Sequence, residues 1–160
     1  MKALLAAVCL ASASPAHSRL TILWVPAADF ASWSELDRAL THYDDLRLTV
    51  AVSSTMLTPD AKKTLSSWST KGRLEVALRL DGDPLLPLIA SRPKAPRPDD
   101  ATARLALERE RFRVVFGSAP AGFSPGAGAV SLALFGGFQA MGLSWVAAGA
   151  YAGSPASWAT

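Results

Sequence analysis

From Val114 to Thr160 the chain contains no Asp, Glu, Lys, Arg or His. The usual carriers of general acid–base chemistry are therefore missing from that whole stretch, whatever shape it takes. Cysteine is almost as scarce. The single copy, Cys9, lies in an apolar N-terminal run, so removal of that run would leave no disulfide, no thiol nucleophile and no thiolate metal ligand. Histidine appears twice, at His17 and His42, and only His42 lies beyond the leader. A zinc site built on an Asp with two histidines is thereby excluded, and no metal or cofactor is expected. Segregated charge is lacking too. The formal charge of +3 falls to about +2 without Lys2, and acidic and basic residues interleave, which argues against a nucleic-acid groove despite a pI near 9.4. Residues 127–148 are long enough to span a bilayer, but Gly136-Gly137, Gln139, Gly142 and Ser144 interrupt them and no basic flank follows. A packed strand-loop-helix-strand explains the same letters, so no membrane span is expected in the mature chain.

What is present starts with a leader. Residues 1–18, MKALLAAVCLASASPAHS, combine a positive start at Lys2, an apolar run from Ala3 to Ala11 and small residues before a cut after Ser18 or after Ala13. Ala6, Ala7 and Val8 make a poor lipobox before Cys9. A secreted or periplasmic protein is expected, with residues 19–160 as one domain, a length that buries roughly two-thirds of the surface the unfolded chain exposes.

Three runs rich in β-branched and aliphatic residues, Arg19 to Val25, Leu46 to Ser53 and Arg73 to Leu80, read as strands. Between the first two, Ser32 can cap a helix to Tyr43 with Trp33, Leu36, Leu40 and Tyr43 on one face. Between the second and third, Thr58 and Pro59 open a helix carrying Leu65 and Trp68, and Gly72 can close it. Residues 83–90 form a short apolar helix or turn, followed by a proline-punctuated connection. Asp99 or Asp100 can cap a helix to about Val115, with Leu105, Phe112 and Val115 apolar. AGFS makes a short fourth strand, Ser131 caps a helix to Met141, Gly142 stops it, and LSWVAAG is a fifth strand. This is α/β architecture with parallel βα repeats.

In such sheets ligands bind at the carboxyl ends of strands. The residues there are Trp24 and Asp29 after the first strand, Ser53 to Thr55 after the second, Asp81 and Asp83 after the third, and Ser124 to Ser131 after the fourth. Asp29, Asp81 and Asp83 could gather as carboxylates for a hard cation or sugar hydroxyls, although Asp-Gly-Asp-Pro also reads as a plain solvated turn. Trp24 can serve as a sugar platform, whereas the other tryptophans within strands and helices read as core. Ser124 is followed directly by Pro125, which rules out a nucleophile elbow.

Longer strings carry a pattern. GRLEVALRLDGDPLLPLIA (Gly72 to Ala90) has a strand followed by a Pro-Leu-Leu-Pro-Leu segment. The stretch from Asp99 to Ser131 has a helix, a Phe-Gly-x-x-Pro turn and the loop GFSPGAGAVS. GLSWVAAGA (Gly142 to Ala150) has a Gly-x-x-Trp strand, and RLTILWVPAADF stands where a first strand would end. Together these resemble the N-terminal catalytic region of glycoside hydrolase family 57, with its relatives among the polysaccharide deacetylase-like barrels. The resemblance implies part of a (β/α)7-type barrel. It also implies loss. The family's nucleophilic Glu falls on Ala127, the Ser before it on Gly126, and the Trp of its loop on Ser124. The His before the Pro-Leu-Leu-Pro segment falls on Asp83, the first-strand histidines on apolar residues around Trp24, and the acidic end of the fifth strand on Gly149 and Ala150. The acid/base aspartate belongs to a strand later than the five found here.

Retaining glycoside hydrolysis needs two carboxyl groups about 5 to 5.5 Å apart, one attacking the sugar and one protonating the leaving oxygen. A methyl group at Ala127 does neither. The sequence therefore reads as a degenerate, truncated domain with no catalytic residue, binding carbohydrate at most, through Trp24, Asp29, Asp81, Asp83 and Ser124. Its rivals are an α-glucan hydrolase or deacetylase completed by a partner chain or by the three aspartates, and a non-functional fragment of a longer gene. Half a barrel also leaves an open sheet edge that invites self-association.

Overall fold

A computed structural model of the chain describes residues 22–27, 30, 32–90 and 98–148. The leader with its cleavage point near Ser18, Asp29, Gly149, Ala150 and Trp158 lie outside the described residues.

The strands are β1 (Ile22–Trp24), β2 (Leu48–Val52), β3 (Leu74–Leu78), β4 (Gly122–Phe123) and β5 (Trp145–Val146). All neighbours pair in parallel, and the spatial order β1-β2-β3-β4-β5 repeats the chain order. A doubly wound sheet would reverse direction part-way. Here every crossover steps the same way, so crossovers of one hand lay all the helices on one side and the sheet curls into a half-barrel. The expected α/β, partial-barrel class is what is found.

Register sorts the side chains. Leu48, Val50 and Val52 pair with Leu74, Val76 and Leu78, and Leu78 pairs with Phe123. Because strand side chains alternate, these residues share one face. That face meets Trp33, Leu36 and Leu40 of α1 (Trp33–His42), Leu65 and Trp68 of α2 (Pro59–Thr70), and Leu105 and Phe112 of α4 (Pro98–Phe116) in one buried core. The opposite face carries Thr49, Ala51, Glu75, Ala77, Gly122 and Trp145, which are small or polar apart from the indole. The strands are shorter than the apolar runs that encode them because their ends bend into turns. Pairing nonetheless continues one step further, with the Arg79 N–H donating to the Val52 carbonyl at 2.9 Å.

The helix boundaries follow local chemistry, with three corrections. Thr58 caps α2 as expected, its hydroxyl accepting from the Ala61 N–H at 3.2 Å, with Pro59 in the first turn and Gly72 at φ 67° closing the exit. Tyr43, expected on the buried face of α1, is 60% exposed, because at the helix end its backbone turns extended and leaves the 3.6-residue period. Helix α4 begins at Pro98, so Asp99 and Asp100 sit inside its first turn, where a proline is tolerated and negative charge suits the helix N-terminus. Ser131 makes no side-chain capping bond. It precedes a 3₁₀ turn, Leu132–Leu134, that leads into α5 (Phe135–Ala140), a helix weakened by Gly136 and Gly137. Helix α3 (Leu86–Ala90) is the short apolar turn after β3. Among the described residues no helix is long and apolar enough to cross a membrane.

Candidate functional site

The carboxyl ends of β2, β3 and β4 converge on one rim, and the chain ties that rim together with charge. Asp81, just past β3, reaches the loop after β2. Its Oδ2 accepts from the Ser54 hydroxyl at 2.9 Å, and its Oδ1 accepts from the Thr55 hydroxyl at 2.7 Å and the Thr55 N–H at 3.2 Å. Partial burial works to raise its pKa, but hydrogen bonds from Ser53, Thr55 and Ser54 outweigh it and hold the carboxyl below the usual aspartate value. Arg104 of α4 binds the Asp81 carbonyl at 3.0 Å from the other side.

Asp83 points elsewhere. Arg79, at the end of β3, donates from Nε to Asp83 Oδ1 at 2.6 Å and from Nη2 to Oδ2, a two-pronged grip, while its Nη1 holds the Pro26 carbonyl after β1 at 2.8 Å. Asp83 has a positive φ of 45°, which a non-glycine residue adopts only when neighbours enforce it.

The loop after β4 rests on this turn. Ser124 is buried, and its N–H donates to the Leu78 carbonyl at 2.8 Å, which continues the β3–β4 pairing. A β-carbon on Gly126 would lie 2.5 Å from the Asp83 carbonyl oxygen and 3.2 Å from that of Pro84, so only glycine allows the two backbones to meet. Next to it, Ala127 sits in the left-handed region at φ 52°, ψ 19°. The glycines and proline of GFSPGAGAVS thus serve a close approach of chain to chain.

The rim is held in shape: hydrogen-bond donors favour the ionised form of Asp81, and a guanidinium grips Asp83 from two sides. Among the described residues the two aspartates share no partner. Trp24 is half-buried and packs edge-on against Phe30 at 4.8 Å and near Trp33 at 6.4 Å, which commits much of its ring to the core. His42 lies exposed at the end of α1, edge-on to Tyr43. Among the described residues no group of three or more His, Cys, Asp or Glu could hold a metal ion.

The fold is similar to that of a 4-alpha-glucanotransferase from Thermococcus litoralis, with a TM-score of 0.59 and 16% sequence identity, covering 79% of this chain and 22% of that one. The likeness is one of fold. This chain spans about a fifth of the length of that enzyme. No protein-family model matches the chain, and no curated protein does.

Sequence reasoning passed over Arg79, whose signal was a cation at a strand end four residues before an aspartate in RLDGD. It also passed over Glu75. That residue is a lone carboxylate inside an apolar strand, where it accepts from Thr49 Oγ1 at 3.3 Å and Trp145 Nε1 at 3.0 Å. Trp145, expected in the core, instead lays its indole across Gly122 on the strand next door, where a β-carbon would stand 1.9 Å from the ring.

Proposed function

We propose that this chain is a degenerate relative of the glycoside hydrolase family 57 half-barrel, keeping the framework of the rim and lacking its chemistry, with weak carbohydrate binding as its remaining capacity. The observation that carries this is Ala127: a methyl group in a left-handed turn at the mouth of β4, beside a glycine pressed on the Asp83–Pro84 backbone. The resemblance puts the attacking carboxylate at that position. The fold shared with a glucan-acting enzyme supports the carbohydrate assignment, and the engagement of Asp81 and Asp83 with donors supports inactivity. Loss of a nucleophile costs about six powers of ten in rate where catalytic groups act as a unit.

On this reading residues 19–160 form the secreted or periplasmic domain after a leader ending near Ser18, and the half-barrel self-associates through its open sheet edges. The purified mature chain is expected to turn over neither α-glucans nor acetylated glycans. Turnover abolished by Asp83→Ala would overturn inactivity and favour the enzyme reading, in which the aspartates or a partner chain complete the site. Light scattering tests the edges: a stable monomer counts against them.

A further inference from the structure

Three large apolar side chains stand exposed on one side of the rim: Leu85, Leu88 and Leu132, at 39%, 64% and 77%. Local structure puts them there. Leu86 and Ala90 of α3 are buried four residues apart, so the chain turns Leu85, just before the helix, and Leu88 outward, with the Leu88 N–H donating to the Leu85 carbonyl at 2.9 Å. In the 3₁₀ turn Leu134 is the buried member and Leu132 the exposed one. The two segments touch, since α3 packs against the 3₁₀ turn and Gly126 is pressed on the Asp83–Pro84 backbone just ahead of Leu85. Exposed Ala127 and half-buried Val130 lie on the loop leading to Leu132. No charged residue occurs from Pro84 to Ala90 or from Gly117 to Ala148. Scattered exposed leucines are ordinary on a surface, but three on adjoining turns with no charge among them mark an interaction site.

The chain leaves the sheet beside this patch. β5 runs parallel to β4, and the Ala147 N–H still donates to the Phe123 carbonyl at 2.9 Å, so Ala148 stands at the rim one strand from the root of the Ser124–Leu132 loop. The exit of β3, which carries Leu85, is two strands and about 10 Å away. Residues 149–160, GAYAGSPASWAT, follow with no charged side chain and two rings, Tyr151 and Trp158. The stretch from Ala148 to Trp158 can extend roughly 35 Å, ample for the crossing. A segment tethered this close meets the patch at an effective concentration on the order of millimolar, whereas a second copy must first give up free translation and rotation.

We propose that residues 149–160 are a strap for this patch, with the Trp158 indole as its anchor, laid on Leu88 and Leu132 and closing the side of the rim beside Ala127. The strap is independent of any carbohydrate binding. Methyl resonances of the full chain read it directly, because an indole shifts the methyl protons stacked on its face. The Leu85, Leu88 and Leu132 methyls are expected to lose that shift in Trp158→Ala, while those of Leu107 and Val114, exposed on α4, stay unchanged as controls. A second variant works from the other side. Leu88→Asp, at an exposed position outside the core, is expected to release the strap and speed chymotrypsin cleavage at Tyr151 and Trp158 about tenfold or more. Methyl shifts unchanged by Trp158→Ala, or cleavage as fast before Leu88→Asp as after it, would overturn the strap. Methyl shifts that fade on dilution, together with a dimer in light scattering, would overturn it in favour of a second copy on the patch.

Discussion

The carbonyl oxygen of Asp83 lies 2.5 Å from the point where a β-carbon on Gly126 would stand, so the turns after β3 and β4 meet backbone to backbone. Gly126→Ala should therefore force the rim apart and cost about 2 kcal/mol, as overpacking does. Gly136→Ala is the control. Nothing lies within 4 Å of its β-carbon, and in a helix alanine stabilises by about 0.5–1 kcal/mol over glycine. Thermal denaturation should move the two variants in opposite directions.

Ala127 holds a positive φ, where a β-carbon costs about 1–2 kcal/mol. Ala127→Gly should gain about 1 kcal/mol in urea unfolding, part of the relief being offset by the greater freedom of unfolded glycine. A loss of stability instead would mean that the methyl makes contacts outweighing its strain.

Asp81 binds the β2 loop more tightly as an anion than as an acid. Its folded pKa lies below the ordinary aspartate value, so its stabilisation is fully present above the unfolded pKa and is lost as pH falls through the folded one. Asp81→Asn should cost about 1 kcal/mol at pH 7, a modest figure because the carboxyl is only partly buried. The gap between wild type and variant should close as pH drops below about 4. A gap that stays constant with pH would show that the charge contributes nothing.

Arg73 locks the far end of α1. Its Nη2 donates to the carbonyls of Leu40, at 3.1 Å, and Tyr43, and its Nε to Leu46 at 3.0 Å, while the guanidinium faces the Trp68 ring at 5.4 Å. The Leu40 and Tyr43 carbonyls belong to the negative end of the helix. Arg73→Ala should cost about 2 kcal/mol in urea unfolding. Arg73→Lys should recover little of it, because an ammonium cannot span three acceptors with a planar fork.

The sequence by itself determined the alternation of strands and helices, the Thr58–Pro59 start, the glycine exits at Gly72 and Gly142, and the apolar faces of Trp33, Leu36, Leu40, Leu65 and Leu105. All of these act through neighbours within a few residues, by dihedral preference, side-chain capping or periodic burial. Only the tertiary structure decided the singly stepped strand order, the diversion of Asp81 to Ser54 and Thr55, the grip of Arg79 on Asp83 and Pro26, and the pairing of Glu75 with Trp145 across Gly122. Apart from Asp83, four residues after Arg79, those partners lie tens of residues apart in the chain. Their choice depends on which strand ends the sheet brings side by side, and no local preference encodes that.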